Sequence, residues 1–283
     1  MNIQIDVQKA KTAIPILFKN HPAESDSPAA SEKDILKGSA EHALVLTLAA
    51  LIMDLEKGFA LRKHPTTAFL INPEAVVAAD RQSLNDLLRE EELPATAWQT
   101  ICTTFHNKWG SDPRRFLADC SYNAQIIFSR LQNDRHQEEG RWREDFPLLR
   151  NSRNAGYWLR LLREEAEMTM LRNLDQISIP MDIHIARASL HLGVVKGVFE
   201  GPVEALFEII GKAWAEGLHA LEPGDQAIIP LDLEQPLFDL GSQKCSQCDP
   251  ETGECLVRDS CTIGRLCVPG SIQIRGDRVY LNT

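Results

Sequence analysis

Long apolar runs and a secretory leader are both missing from this chain of 283 residues. Its most apolar run, HALVLTLAALIMDLE, has the length of a buried core helix and is too short to cross a bilayer comfortably. The N-terminal stretch MNIQIDVQKAKTAIPILFK lacks the apolar core and small-residue cleavage site of a secretory signal. We therefore expect a cytoplasmic protein that does not associate with membranes.

The chain also has no excess of positive charge, and its net charge is −10. This argues against a protein that coats nucleic acid without specificity. The charge is nevertheless uneven, since ten arginines lie in the middle of the chain and acidic residues dominate much of the rest. The arginines indicate either a local basic surface on an acidic body or ordinary solvated helix faces of mixed charge. They are Arg114, Arg115, Arg130, Arg135, Arg141, Arg143, Arg150, Arg153, Arg160 and Arg163.

Strictly alternating segments are few, so the body is predicted to be mostly α. Predicted helices include one that starts at Ser39 and stops near Gly58, and others that start at Asn72-Pro73 and at Asp112-Pro113. The tail SIQIRGDRVYLN has two alternating arms around Gly276-Asp277 and predicts a short β-hairpin. The polar stretch HPAESDSPAASEKD predicts a loop or mobile lead-in.

Cysteine is almost absent outside one short segment near the C-terminus. Cys102 and Cys120 fall in helical apolar patterns and are predicted to be core residues. The other five, Cys245, Cys248, Cys255, Cys261 and Cys267, follow the spacing C-x2-C-x6-C-x5-C-x5-C. In the cytoplasm, clustered thiols more often bind metal than form disulfides. Only one closely spaced pair is present where zinc usually needs two, so the segment favours a [4Fe–4S] cluster over zinc, with free or disulfide-bonded thiols as a third possibility.

Three segments resemble the helix-hairpin-helix DNA glycosylases of the endonuclease III superfamily. LDQISIPMDIHIARASLHLGVV is similar to the family pattern V-D-T-H-I-x-R, with Asp182, His184, Ile185 and Arg187 at the matching positions. FDLGSQKC resembles the family's last long helix, which ends in Gly and reaches the first cluster cysteine. DSCTIGRLC resembles the last two cluster ligands, with the same five-residue gap. The similarity covers about residues 145–267.

The resemblance implies the fold, the domains and the metal ligands. The expected fold is a mostly α, helix-hairpin-helix glycosylase-like structure with a cysteine-rich cluster loop and a short β-hairpin tail. The expected divisions are a lead-in at 1–37, a helical subdomain at 38–143, a helix-hairpin-helix-like subdomain at 144–241 and the cluster loop with its tail at 242–283. By position, Cys245, Cys261 and Cys267 are cluster ligands. The fourth is Cys255, which lies nearer the closing pair, with Cys248 as the alternative.

The chain departs from the family at three places. The cluster spacing of the family is C-x6-C-x2-C-x5-C, which this sequence does not have. The phosphate-gripping turn L-P-G-V-G-x-K is replaced by LLRNSRNAGYW, which lacks both the Gly-x-Gly and the lysine that family lyases use as a Schiff base. REEAEMTMLRNLDQIS lengthens the gap before Asp182.

By resemblance, Asp182 would be the catalytic carboxylate, which stabilises the oxocarbenium-like charge at C1′ and orients a water. From the residues alone, Asp182 follows Pro180, begins a helical pattern and is better explained as a helix N-cap; only with the cluster and the family order included do the two explanations balance. Without the lysine we expect base hydrolysis with no strand cleavage. The base must first be flipped out of the stack.

Five residues are candidates for contacts with damaged or modified DNA: Arg150, Arg153, Asn154, Arg187 and Trp142. Arg153 and Asn154 begin a predicted helix, where a charge and free N–H groups suit a phosphate. Trp142 lies between Arg141 and Arg143. Tyr157 and Trp158 are expected to be core anchors, with stacking on a base as the alternative.

Two other functions fit the same residues. One is a nucleoside-type N-glycosidase, which the acidic net charge keeps open. The other is a non-catalytic iron–sulfur protein of the same fold that binds nucleic acid or a protein. The missing Gly-x-Gly and lysine favour the non-catalytic protein, and the retained Asp182 favours the glycosylase.

Overall fold

The structure is a computed structural model that describes residues 2–20, 35–89, 93–221, 228–249, 252–275 and 278–282. The chain divides into two compact units. The terminal unit combines Met1–Ser25 with Ser178–Thr283, and the central unit is Asp26–Ile177. The predicted lead-in at 1–37 therefore contributes its first residues to the terminal unit. The predicted subdomain at 144–241 contains residues of both units.

The prediction of a mostly α protein is confirmed. In chain order, the α-helices of the described residues are α1 (Val7–Asn20), α2 (Ala40–Ile52), α3 (Leu55–Lys63), α4 (Pro73–Ala78), α5 (Arg81–Leu88), α6 (Ala95–Trp109), α7 (Pro113–Asp119), α8 (Ala124–Asn133), α9 (Ser152–Glu164), α10 (Ile183–His191), α11 (Val203–His219) and α12 (Glu234–Asp239). The strands are β1 (Asn2–Ile5), β2 (Arg135–Glu138), β3 (Arg141–Glu144), β4 (Val195–Pro202), β5 (Ser271–Arg275) and β6 (Arg278–Asn282).

Side-chain caps start several helices where the sequence predicts them. The side chain of Asn72 accepts from the backbone N–H groups of Glu74 and Ala75, and Pro73 occupies the first turn of α4. Asp112 caps α7 in the same way. These caps supply acceptors for N–H groups that the helix itself cannot satisfy, which explains why the helices begin there.

The helix predicted from Ser39 to about Gly58 is interrupted. Met53 is left-handed with φ 60°, and the side chain of Asp54 starts α3 by accepting from the Lys57 N–H. Gly58 therefore lies inside α3 and does not end a helix. A Cβ at Gly58 would lie 2.6 Å from the Cβ of Ala49, so the glycine allows α2 and α3 to approach closely.

The predicted C-terminal hairpin is part of a larger antiparallel sheet. Strands β5 and β6 pair with Ile272 opposite Leu281, while the predicted turn at Gly276-Asp277 lies outside the described residues. The strand order is β1-β4-β6-β5, which joins the first residues of the chain to the last. The predicted loop at 21–34 also lies outside the described residues.

Helix α10 is packed into the core of the terminal unit. Ile185, Ala186 and Leu190 are buried in the same cluster as Trp214 of α11 and Leu237 of α12. The indole N–H of Trp214 donates to the hydroxyl of Ser189 over 2.8 Å. Because one side of α10 is fixed in this way, the positions of its polar residues are fixed as well.

Aromatic side chains form the core of the central unit. Phe105, Trp109, Phe116 and Phe146 lie in mutual contact, with ring centroids 4.9–6.4 Å apart. Trp158 packs against Phe116 and is fully buried, which confirms its predicted core role. Edge and offset contacts of this kind stabilise an aromatic core beyond its burial.

Candidate metal centre and active site

The cysteine segment begins where helix α12 ends. Residues Leu240–Lys244 form a π-turn and Cys245–Gln247 a 3₁₀ turn, which together bring Cys245 against the core. Cys245 and Cys267 are buried, and the other three thiols are half-buried. Cys248 and Cys255 face each other through an isolated antiparallel backbone bridge. The segment therefore folds back on itself instead of running over the surface.

The five thiols are close enough to affect one another's ionisation. Burial, followed by Cys248, Cys267, Cys261 and Cys255, raises the pKa of Cys245 well above its usual range. Burial and then the Cys255 thiol raise the pKa of Cys248 to about 12. Burial and then Cys255 and Cys261 raise the pKa of Cys267 to about 11. All five thiols therefore share one neighbourhood.

Cys255 and Cys248, the two candidates for the fourth ligand, are adjacent. An antiparallel backbone bridge joins the two residues, and the Cys255 thiol contributes to the raised pKa of both Cys248 and Cys267. The Sγ of Cys248 also lies 3.8 Å from Nδ1 of His191 in α10. Cys248 and Cys255 therefore occupy neighbouring positions in the loop.

Glycines make the compact path of the loop possible. The gap between Cys261 and Cys267 is closed by successive turns, in which the Gly264 N–H donates to Cys261 O and the Cys267 N–H donates to Gly264 O, each over 2.9 Å. A Cβ at Gly264 would overlap the carbonyl oxygen of Arg258. Gly253 has φ +72°, and a Cβ there would overlap the backbone of Gly270. Larger residues at these two positions would force the loop open.

The convergence of thiols is not a preformed site for a single ion. Within the described parts of the chain, no group of three or more His, Cys, Asp or Glu side chains could hold a metal ion. Cys102 and Cys120 are buried in the central unit, as predicted. Burial raises the pKa of both thiols above the usual range, in keeping with a core role.

Asp182 caps α10, the helix that carries the family-like motif. Its Oδ1 accepts a 2.8 Å hydrogen bond from the backbone N–H of Ile185. The N-cap explanation from the sequence is thereby confirmed as the local role of this residue. The side chain is half-buried and lies four residues after the chain returns to the terminal unit.

Helix α10 also touches the segment that leads into the cysteine loop. Nη1 of Arg187 lies 3.3 Å from Nδ1 of His184 and donates to the carbonyl of Gly241 over 3.4 Å. The guanidinium also lowers the pKa of Cys248, although burial and Cys255 outweigh this effect. Arg187 therefore contacts the segment that leads to the thiols, and Asp182 caps the helix that carries Arg187.

His191 is a member of this neighbourhood that the sequence analysis overlooked. Its Nδ1 lies 3.3 Å from the carbonyl of Val268, one residue after the last cysteine. Burial, reinforced by the charge of Arg187, keeps the pKa of His191 below its usual range. Its place in the sequence, seven residues after His184 on the same predicted helix, is the signal that could have indicated a shared face.

The remaining candidates for DNA contact belong to the central unit, and two of them have clear local roles. The amide of Asn154 donates to the carbonyl of Ala50 at the end of α2 over 2.8 Å. Arg150 forms an ion pair with Glu144. Arg153 lies in the first turn of α9, half-exposed. Trp142 is 69% exposed on β3.

Strands β2 and β3, which carry Trp142, were not predicted. Their arms, RHQE and RWRE, contain one large apolar residue between them, so no alternation of apolar and polar residues marks them as strands. The Glu139-Gly140 dipeptide between the arms is the available signal, since both residues adopt positive φ, as a tight hairpin turn requires.

A scan against protein-family models found no match to this chain, and a search of curated proteins found no significant relative. In the part of the chain that the structure describes, no helix has both the length and the apolar character needed to span a bilayer.

Proposed function

We propose that this protein binds a [4Fe–4S] cluster through Cys245, Cys255, Cys261 and Cys267, with Cys248 as the alternative to Cys255. The observation that carries the proposal is the convergence of the five thiols in one partly buried neighbourhood. Cysteine thiolates are the usual ligands of such clusters. In a cubane cluster each thiolate binds a different iron, so the ligands are spread more widely than the four around a zinc ion, where Zn–S bonds of about 2.3 Å draw the sulfurs together.

The donor set fits this group. The loop supplies five thiols and few apolar side chains of its own, so bonds to the metal would replace the missing core. When bound, the cluster would supply structural cross-links to the 245–267 segment. Zinc remains the alternative cofactor, and metal analysis separates the two.

We further propose that the protein is a monofunctional DNA glycosylase, of the helix-hairpin-helix type, that hydrolyses the bond between a modified or damaged base and its deoxyribose. The support is that two of the family-like segments are in contact: α10 carries Asp182 and Arg187, and Arg187 donates to Gly241 just before the cysteine loop. Asp182 would stabilise positive charge at C1′ and orient the attacking water. The matched turn contains no lysine, so no Schiff base and no strand cleavage would follow.

A second candidate is a non-catalytic iron–sulfur protein that binds nucleic acid. Asp182 already has a structural role as the cap of α10. Helix α9 follows the β2–β3 hairpin and the turn at 147–150, where the resembled family has a helix and a glycine-rich turn. Both observations favour retention of the cluster without the chemistry.

The first experiment is to measure iron, zinc and acid-labile sulfide in protein purified without air. About four irons and four sulfides per chain are expected for a [4Fe–4S] centre. One zinc with no sulfide would exclude the cluster and remove the main support for the glycosylase assignment.

The second experiment tests the reaction itself. The protein is incubated with duplex DNAs that each carry one modified base, and abasic sites are detected by alkaline cleavage. Product formed by the wild type and lost in Asp182→Asn would support the glycosylase. Tight, salt-sensitive binding to an abasic-site analogue without product from any substrate would favour the non-catalytic alternative.

A further inference from the structure

The β2–β3 hairpin is a short, tightly turned element of the central unit. Arg135 pairs with Glu144 at one end, and Glu138 pairs with Arg141 at the other, next to the two-residue turn. The turn residues Glu139 and Gly140 have φ values of 50° and 76°. Two successive positive φ values match the natural twist of paired strands, so the turn itself favours this hairpin.

A buried carboxylate anchors the base of the hairpin. The side chain of Asp145 is fully buried, and its two oxygens lie 2.7 Å from Nδ1 of His136 on β2 and 2.5 Å from Nζ of Lys108 on α6. The Asp145 N–H also donates to the carbonyl of Asp134. An isolated two-stranded hairpin is marginally stable in water, so these contacts hold the element in place.

The two faces of the hairpin carry different side chains. Paired residues in an antiparallel ladder lie on the same face, and successive residues of a strand alternate between faces. Trp142 and Gln137 therefore share one face with Arg135 and Glu144, which lie two positions further along the strands. Glu144 is neutralised by Arg150. This face, which we call the Trp142 face, therefore presents an exposed indole, an amide and one cation.

The charged side chains of the hairpin neutralise one another only in part. Arg143 pairs with Glu138 over 3.4 Å. Arg135 and Arg141 make no ion pair with any residue that the structure describes. Of these two arginines, Arg135 lies on the Trp142 face and Arg141 on the opposite face. In a chain with a net charge of −10, a guanidinium group without an ion-pair partner on the same face as an exposed indole suits a polyanion with flat rings.

We propose that the β2–β3 hairpin binds a single strand or a locally unstacked stretch of nucleic acid through the Trp142 face, with Trp142 stacked on a base and Arg135 against a phosphate. The proposal deepens the proposed function, since it names the strand-binding element, but it requires no catalysis. Stacking on an aromatic side chain tolerates any base, because every base has a π-face. Because the hairpin is anchored by Asp145, the backbone that carries Trp142 is already in place, and binding costs little conformational entropy in the protein.

The fluorescence of the full-length protein offers a direct test. Of its five tryptophans, Trp98, Trp109, Trp158 and Trp214 are buried, and Trp142 alone is exposed. Titration with a 20-nucleotide single strand of mixed sequence is expected to quench Trp142, and Trp142→Phe is expected to lose the quenching while binding, followed with a labelled strand, persists. Trp142→Ala is expected to bind roughly 5- to 150-fold more weakly, since one stacked base contributes about 1–3 kcal/mol and 1.4 kcal/mol corresponds to tenfold.

Charge variants test the second half of the proposal. Arg135→Ala is expected to weaken binding and to reduce the slope of log affinity against log salt by about 0.7 for the lost phosphate contact. Arg141→Ala, on the opposite face of the hairpin, is expected to have a smaller effect. Glu139→Gln is expected to strengthen binding, because it removes a negative charge from the tip of the hairpin. Met170→Ala, which removes an exposed apolar side chain elsewhere in the central unit, serves as the matched control and is expected to have no effect.

The proposal is overturned if the single strand does not bind, or if Trp142→Ala binds it as well as the wild type does while circular dichroism shows both folded. Quenching of Trp142 by polyglutamate with none by DNA would also overturn it and point to an acidic protein partner. Two outcomes separate the hairpin proposal from the glycosylase proposal. If the wild type shows Trp142-dependent binding but no base hydrolysis, only the glycosylase proposal is refuted. If Trp142→Ala hydrolyses bases as well as the wild type does, and binding does not depend on Trp142, only the hairpin proposal is refuted.

Discussion

Gly241 lies directly against the backbone carbonyl of His184, so that a Cβ on Gly241 would overlap that oxygen. The contact joins the first turn of α10 to the π-turn that precedes Cys245. Asp182 and the first cysteine are thus held in fixed relation by backbone packing, with Arg187 donating to the same Gly241 carbonyl. Any side chain at position 241 must push these two segments apart.

We expect Gly241→Ala to lower the free energy of unfolding by about 1–3 kcal/mol or more, because a backbone oxygen cannot move aside as a flexible side chain would. It should also reduce the iron content, since the displaced segment carries Cys245. Urea unfolding and iron analysis measure the two effects.

The matched control is Gly211→Ala in helix α11. A Cβ there would meet nothing within 4 Å. Alanine is a better helix former than glycine by about 1 kcal/mol, so this variant should be as stable as the wild type or more so. Equal behaviour of the two variants would contradict the packing argument.

Substitutions of Asp182 should separate its cap role from its proposed catalytic role. Asparagine caps a helix about as well as aspartate does, so Asp182→Asn should change stability by no more than about 0.5 kcal/mol, whereas Asp182→Ala should cost about 1 kcal/mol. Loss of the charge beside C1′ should lower base hydrolysis by about 100-fold or more in both variants. If hydrolysis instead follows stability, with Asp182→Asn fully active, the carboxylate is only a cap.

Single Cys→Ser variants should identify the ligands. Cys245→Ser, Cys261→Ser and Cys267→Ser are each expected to lose most of about four irons per chain, as is one of the variants at Cys248 and Cys255. Iron, sulfide and visible absorbance are the readouts.

Cys102→Ala and Cys120→Ala provide the controls for the cysteine series. Both side chains are buried in the central unit, so their loss should cost stability but leave the iron content unchanged. Full iron content in all five loop variants would exclude the proposed ligand set.

The ion pair of Asp112 with Arg114 predicts a pH-dependent part of the stability. Burial raises the pKa of Asp112, but the hydrogen bonds and charge of Arg114 outweigh it, so the pKa lies below its usual range. A carboxyl whose folded-state pKa is depressed stabilises the protein above its ordinary pKa, near 3.9, and loses this contribution as the pH falls through the lower folded value.

Asp112→Asn keeps a cap on α7 but removes the ion pair. Between pH 5 and pH 3, a range that spans the ordinary carboxyl pKa, the stability of this variant should fall less than that of the wild type. The difference should be only roughly 0.5–1 kcal/mol, because Arg114 is partly exposed and the ion pair is screened by solvent. Arg114→Gln removes the side-chain hydrogen bonds and the charge but leaves the backbone N–H bond to Asp112 and the charge of Arg115, so it should flatten the profile in the same direction but less. Unfolding midpoints in urea at the two pH values test this, and unchanged profiles in both variants would refute the assignment.

Helix content could be predicted because helices depend on nearby residues. Asn72-Pro73 and Asp112-Pro113 start helices where the sequence indicates, since a side chain that caps its own helix needs no distant partner. The break at Met53 was missed, because apolar residues continue on both sides of it, with Leu51 and Ile52 before and Leu55 after. Gly58 does not end a helix but allows α2 and α3 to approach closely. Strand β4 was missed because its pairing partners, Asn2–Ile5 and Arg278–Asn282, lie almost 200 and 80 residues away along the chain.

For the candidate site, the sequence predicts which residues are candidates more readily than it predicts which of them are in contact. The thiols and the motif around Asp182 are visible in the sequence. The contacts of His191 with Cys248 and Val268, and those of Arg187 with Gly241, depend on how α10 packs, which no local pattern reveals. The same holds for Asn154, whose amide binds a carbonyl of α2 instead of facing solvent.

The sequence by itself determined that the protein would be mostly helical and that Cys102 and Cys120 would be buried, and it is the basis for proposing a soft metal at the other thiols. These properties follow from periodicity, capping and ligand chemistry, all of which act over a few residues. Only the tertiary structure decided that the five thiols, Arg187 and His191 would meet, and that Trp142 would stand exposed on an anchored ribbon. These contacts depend on long-range packing, which local sequence preferences do not determine. The backbone approaches closely at Gly241 and Gly264, and the buried carboxylate of Asp145 holds the hairpin in place.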